Sequence, residues 1–194
     1  MRGFPKSDLI VASTGASGMP ILKTVLELLR EDGRYHVVLV LSDSAKVTIE
    51  TELDDPVSTI MSLADEVLPV NAIGATIASG SHPAAGMIIV PCSMKTVAGI
   101  ATGYTDNLIL RAADVTLKEK RPLVLATRET PLNSIHLRNM EELSRMQNVW
   151  IIPPVMSFYS KPKTIDEMVC HIAAKLVAPF GVLAPGYQQW EGLS

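Results

Sequence analysis

The sequence predicts an α/β fold in three layers, with helices on both faces of a mostly parallel sheet. Three observations predict it. Short apolar runs recur without polar alternation, as in Leu9–Ser13, Tyr35–Leu41 and Leu123–Thr127, the pattern of strands buried on both faces. Each run ends in small, hydroxyl or charged residues and gives way to apolar residues at helical spacing, so strand and helix alternate. Hydrophobic residues are 47% of the chain and charged residues 19%. That composition fills the core of such a sheet and leaves apolar side chains for surfaces buried between subunits.

The elements follow in order. Leu9–Ser13 is a strand. Thr14-Gly15-Ala16-Ser17-Gly18 makes a turn of small residues, and Pro20 suits the first turn of a helix continued by Ile21, Val25, Leu28 and Leu29. Tyr35–Leu41 is the second strand, closed by Ser42-Asp43-Ser44, with a helix to about Leu53. Asp55-Pro56 opens a further helical stretch, Val57–Val67, and residues 71–85 read as loop. Met87–Val90 is a strand stopped by Pro91, and helices lie around Val97–Thr102 and Asn107–Lys120. Leu123–Thr127 is a strand, Ile135–Met146 a helix, and Val149–Ile152 a strand ended by Pro153-Pro154. Thr164-Ile165-Asp166-Glu167 reads as a capping box for a last helix to about Val177. No linker or repeat divides the chain, so residues 1–194 are expected to form a single domain.

Several functional classes are disfavoured. A net charge of −3 does not suit a general nucleic-acid binder, which carries a basic stripe. Cys92 and Cys170 give no disulfide framework and read as buried reduced thiols. The four histidines, His36, His82, His136 and His171, show no metal-ligand spacing with them. No apolar run approaches the ~20 residues of a membrane span, and Met1–Asp8 is short and polar, unlike a signal peptide. A soluble, cytoplasmic protein is expected.

In an open α/β sheet, ligands bind beyond the carboxyl ends of the strands. The residues there are Thr14-Gly15-Ala16-Ser17-Gly18, Ser42, Ser93-Met94-Lys95-Thr96 and Arg128-Glu129. The glycines admit a ligand close to backbone, and the helix after Gly18 is expected to offer free N–H groups to an anion. The first turn is not GxGxxG, so it is no dinucleotide fingerprint. Hydroxyls, small residues or a charge pair at four strand ends favour a phosphate-bearing ligand, although each alone is an ordinary helix cap. Arg111, Asp114 and Lys118 share a helix face, either as a solvated ion-paired stripe or as two cations oriented by Asp114 toward an anion. Glu52 and Glu129 are carboxylates that could move a proton, or else a surface residue and a salt-bridge partner. Tyr159 and Trp190 stand in Pro-flanked loops as packing or ligand aromatics.

One family carries these motifs together. At Pro91–Thr96, at Asp106–Leu125, and at Arg128-Glu129-Thr130-Pro131-Leu132-Asn133-Ser134-Ile135-His136-Leu137, the chain resembles the flavin prenyltransferases of UbiX type. Thr14–Gly18, Ala78-Ser79-Gly80-Ser81 and Pro153–Tyr159 extend the likeness, in order, from Leu9 to Trp190. The Trp190-Glu191-Gly192 end and the Ser-Met-Lys-Thr form resemble the branch of that family associated with phenolic-acid decarboxylases.

The resemblance implies a flavodoxin/Rossmann-like fold and a homododecamer. It implies metal-independent transfer of a dimethylallyl group from dimethylallyl phosphate to reduced FMN, giving prenylated FMN for a UbiD-type decarboxylase. It assigns Gly15, Ala16, Ser17, Ser42, Ser93, Met94, Lys95, Thr96 and Arg128 to the flavin. It assigns Lys118, Tyr159, Lys175 and Trp190 to the prenyl donor, with Arg111 reaching in from a neighbouring subunit. Glu52 and Glu129 become acid/base carboxylates, and Ser17 and Ser79 polar groups near the reacting centre. Two departures stand out: position 175 is lysine where the family usually has arginine, and the 70–76 loop lacks a tryptophan, a space Ile73 or Ile77 would fill. The alternatives are an FMN carrier subunit of a decarboxylase, or an FMN-dependent decarboxylase in its own right.

Overall fold

The computed structural model describes residues 6–187, 190 and 192. Six strands form one sheet: β1 (Ser7–Ser13), β2 (Tyr35–Leu41), β3 (Glu66–Pro69), β4 (Ala84–Cys92), β5 (Leu123–Thr127) and β6 (Val149–Ile151). Their order across the sheet is β3-β2-β1-β4-β5-β6, and every pairing is parallel. The helices are α1 (Met19–Asp32), α2 (Asp43–Glu52), α3 (Val57–Met61), α4 (Met94–Thr102), α5 (Leu108–Lys118), α6 (Ser134–Ser144) and α7 (Ile165–Val177).

Successive side chains of a strand point to opposite faces, and the two halves of the core divide accordingly. Leu9, Val11, Val37, Leu39, Ile88 and Val90 pack with Leu22, Leu26 and Leu29 of α1 and Ala173 and Leu176 of α7. Ile10, Ala12, Val38, Val40, Met87 and Ile89 pack with Val97 of α4, Ala112 of α5 and Leu143 of α6. This is why the strands read as unbroken apolar runs: both faces are covered.

One strand was not expected from the sequence. The stretch expected to be helical as Val57–Val67 holds only the short α3, and Glu66–Pro69 is β3. Glu66 and Pro69 are exposed and Val67 and Leu68 half-buried, because an edge strand is covered on one side only, and its apolar stretch is too short to mark it as a strand. β4 runs on through Pro91 to Cys92. The expected capping box of α7 is half formed: the Thr164 hydroxyl accepts the Glu167 N–H at 3.2 Å, while the Glu167 carboxylate takes the Lys163 N–H rather than that of Thr164. A complete box stands instead on α6, between Asn133 and His136. Cys92 is buried as expected, and burial pushes its thiol far up. Cys170 is only partly buried, with its Sγ 3.7 Å from the Pro185 carbonyl.

The order places a switch point between β1 and β4: the chain moves outward from β1 to β2 and β3, then returns to β1's other side. At such a point the loops diverge to opposite faces and open a crevice. Here the loops are stitched together. Ser42 N donates to Ser13 O at 3.1 Å, Thr14 N to Pro91 O at 3.2 Å, and Arg128 N to Cys92 O at 3.0 Å. The Thr14 hydroxyl both donates to Pro91 O at 2.9 Å and accepts the Ser93 N–H at 2.8 Å.

Candidate active site

A pocket of about 80 Å³ lies in this crevice, lined among others by Thr14, Gly15, Ser42, Ser44, Ser93, Lys95 and Thr96. The sequence therefore singled out five of the residues that converge: Gly15, Ser42, Ser93, Lys95 and Thr96. It passed over Thr14 and Ser44 as site residues, although both are hydroxyls just beyond a strand. Met94 faces away and is buried in the core. Gly15 is required by close packing. A Cβ there would sit 2.4 Å from the Ser44 Cβ.

The helix N-termini at this edge differ in what holds them. Ser42 Oγ accepts the Ala45 N–H of α2 at 3.0 Å. Asn133 caps α6 and Thr164 caps α7. At α1 the expectation of free N–H groups fails, because Glu52 Oε2 accepts from Gly18 N at 2.9 Å and Met19 N at 2.8 Å. Among the described residues, α4 alone of these helices begins without a side-chain cap. The Ser93 and Thr96 hydroxyls, 3.2 Å apart, stand at its start with Lys95. Uncapped N–H groups, two hydroxyls and an ammonium suit a phosphate dianion.

Glu52 ends α2 and is half-buried. Burial raises its carboxyl, but the Ser17 hydroxyl, the Gly18 and Met19 N–H groups and the Arg128 charge outweigh burial and hold it below its ordinary value. It is therefore ionised at neutral pH and can accept a proton. Ser17, Glu52 and Arg128 thus form one unit beside the pocket. Glu129 does not join it: its carboxylate accepts the Thr130 N–H at 3.0 Å on an exposed loop.

The cations on α5 are arranged differently from the expectation. Asp114 pairs with Arg111 at 2.8 Å, but Lys118 pairs with Glu119 instead. Arg111 Nε donates to Ala78 O and Arg121 to Gly80 O. These bonds hold the Ser79 loop against Lys118, so close that a Cβ on Gly80 would meet the Lys118 Nζ. Ser79 Oγ lies 2.9 Å from Ser81 Oγ. Of the two isoleucines near that loop, Ile77 is buried in the core and Ile73 is exposed.

A third cluster surrounds a cavity of about 610 Å³ lined by Tyr159, Lys175, Val182, Leu183, Tyr187 and Trp190, among others. Tyr159 meets Trp190 edge-on at 5.6 Å. The Lys175 Nζ lies 5.3 Å over the Tyr187 ring. The Tyr187 hydroxyl, against some desolvation, holds its ammonium above the ordinary value. Tyr187 and His171 carried no spacing signal in the sequence. The switch-point pocket and this cavity share no lining residue within one chain.

The flavoprotein family model matches residues 2–177. A probable UbiX-like flavin prenyltransferase from Streptomyces sp. (strain D7) is 49% identical over 185 residues, 95% of this chain and 92% of that one. The chain belongs to the UbiX-like flavin prenyltransferase family. Solved structures of the family agree in fold. A dodecameric FMN-dependent UbiX-like decarboxylase from Escherichia coli O157:H7 superposes with a TM-score of 0.93 at 47% identity, covering 95% of this chain and all (100%) of the other. AnUbiX (PadA1), in complex with FMN and dimethylallyl pyrophosphate, gives a TM-score of 0.94 at 42% identity, covering 98% and 100%. Among the described residues, no helix is long and apolar enough to cross a membrane.

Proposed function

We propose that this UbiX-like chain, acting as one domain over residues 1–194, transfers a dimethylallyl group from dimethylallyl phosphate to reduced FMN. The observation that carries this is the Ser17–Glu52–Arg128 unit beside the hydroxyl-lined pocket. An ionised carboxylate fixed by two backbone N–H groups at 2.9 and 2.8 Å is a built proton acceptor, which a mere carrier of flavin does not need.

The residues fit FMN. Ser93, Lys95, Thr96 and the uncapped start of α4 would hold its phosphate, with Ser42 and the Gly15-Ala16 backbone beside it. The pocket's 80 Å³ suits a phosphate rather than a whole flavin, since organic-ligand sites run to roughly 300 Å³ or more. The rest of the ring would lie along the Ser17–Arg128 edge. Reduced FMN supplies an electron-rich ring that accepts the allyl group.

The chain's own residues supply the rest. Departure of phosphate from an allylic carbon leaves negative charge, which Lys118, Lys175 and the Tyr159 hydroxyl would stabilise. Arg111, exposed enough to face a neighbour, would reach that site from an adjacent subunit, and Trp190 would offer an aromatic face to positive charge on carbon. Glu52 would take the proton released at the reacting centre, beside Ser17, with Ser79 orienting the donor and Glu129 serving as a second carboxylate. Ile135, Leu137, Val155, Met156 and Phe158 are large exposed apolar side chains, the surface expected to be covered in a homododecamer. Such an assembly would bring the separate clusters together. The product would serve a UbiD-type decarboxylase in the cytoplasm.

The test is anaerobic incubation of the purified protein with reduced FMN and dimethylallyl phosphate, followed by mass spectrometry of the released flavin. A flavin heavier by one dimethylallyl unit is expected. Unmodified flavin with both the monophosphate and the diphosphate would leave the carrier role. Release of carbon dioxide from a cinnamic acid without any partner would point to a decarboxylase in its own right.

A further inference from the structure

Beyond α7 the chain turns back onto that helix at Ala184-Pro185-Gly186-Tyr187. Tyr187 N donates to Ala184 O at 3.1 Å, and Gly186 sits at a φ of +84°. Proline second, glycine third at positive φ, and a bond from the fourth residue to the first carbonyl make a type II turn. Glycine takes the third position without strain. The Cys170 thiol, 3.7 Å from Pro185 O, ties the turn to α7. Local sequence therefore fixes where Tyr187 lies.

Tyr187 meets two residues of α7 that stand one turn apart on the same face. Its ring lies tilted against His171, with centroids 4.9 Å apart, and Tyr159 meets the same imidazole edge-on at 5.6 Å. The Lys175 Nζ stands 5.3 Å from the Tyr187 centroid, within the range of a cation–π contact. Burial, and then the Lys175 ammonium, hold His171 below its ordinary value. At neutral pH it is uncharged, and Lys175 is the cation that the Tyr187 ring meets. Lysine carries a point charge on a flexible stem, where a guanidinium fork is already ordered. Lys175 is exposed, so fixing its ammonium for an anion costs side-chain entropy. A ring that holds the ammonium beforehand removes part of that cost. Both residues line the same cavity.

We propose that Tyr187 is a positioning residue: its ring holds the Lys175 ammonium in the cavity, ready for the phosphate of the prenyl substrate. This rests on the prenyltransferase reading above. Binding of dimethylallyl phosphate to the protein carrying oxidised FMN, followed by calorimetry, tests it without any turnover. Tyr187→Leu removes the ring and should weaken donor binding roughly three- to fivefold, the weight of a cation–π contact at an exposed site, with FMN binding unchanged. Tyr187→Phe keeps a ring beside the ammonium and should lie closer to wild type than to Tyr187→Leu.

A double variant separates positioning from mere packing of the cavity wall. Lys175→Met removes the charge, and adding Tyr187→Leu to it should weaken donor binding no further, because Tyr187 acts through Lys175. A packing residue would instead multiply the two losses. Wild-type affinity in Tyr187→Leu, no recovery in Tyr187→Phe, or multiplied losses in the double variant would each overturn the proposal while leaving the prenyltransferase reading intact. Wild-type protein that binds FMN but no dimethylallyl phosphate overturns the functional reading, and this inference with it.

Discussion

Replacing Gly15 by alanine is a steric test of the flavin pocket. The added Cβ would lie 2.4 Å from the Ser44 Cβ and 3.3 Å from the Ser44 backbone carbon. Ordinary contact begins at 3.4 Å, so the closest approach is a full ångström too short. The clashing atom is a Cβ, fixed to the backbone, and cannot rotate away. The β1–α1 loop and the start of α2 must therefore separate. Overpacking of this kind costs about 2 kcal/mol, which for a chain of this size lowers Tm by roughly 4–8 °C. Function should suffer more than stability, because the two loops that part are the walls of the pocket. FMN affinity, read by quenching of flavin fluorescence, should fall at least about tenfold, as displacements near 1 Å do at positioned sites. Adding Ser44→Gly removes the 2.4 Å contact and should restore most of the binding. A Gly15→Ala protein that melts lower yet binds FMN normally would refute the placement of flavin in this crevice. Binding that stays lost after Ser44→Gly would refute the steric account.

The other expectations follow from single geometries. Glu52→Gln should bind FMN normally and lose turnover, and normal turnover would remove Glu52 from its role. Because Glu52 is held below its ordinary 4.5, its contribution to stability is fully present above that value and is lost as pH falls through the lower folded-state value. A Tm–pH profile should therefore lose its steepest acid segment in Glu52→Gln. Lys175→Arg restores a planar two-pronged donor and should lower KM for the prenyl phosphate a few-fold; a rise would mean the Tyr187 contact matters more than the fork. Gly86→Ala places a Cβ 2.4 Å from the Pro122 carbonyl at a φ of +150° and should cost about 3 kcal/mol, visible as a melt lowered by roughly 6–12 °C.

Much of the molecule could be read from the chain alone. β2 and β5 were placed to the residue because a parallel strand buried on both faces must be a continuous apolar run. The loops at the carboxyl ends followed from the strands, and with them Gly15, Ser42, Ser93, Lys95 and Thr96. β3 could not be read, since an edge strand ending in Pro69 is only half covered and needs no such run. Spacing on α5 put Arg111, Asp114 and Lys118 on one face, yet Lys118 turned to Glu119, a neighbour that the helical pattern does not favour.

The sequence by itself determined the layers, the strand ends and the kinds of side chain gathered there, because these depend on local periodicity and on which residues avoid water. Tertiary structure decided how those side chains are used. Glu52 reaches back 34 positions to cap α1, so the anion site passes to α4. Thr14, just after β1, bonds to Pro91 of β4 across 77 positions. His171 comes to lie between two tyrosines from separate loops. Such pairings depend on where the folded backbone places distant groups within hydrogen-bonding reach, and no local pattern encodes that distance.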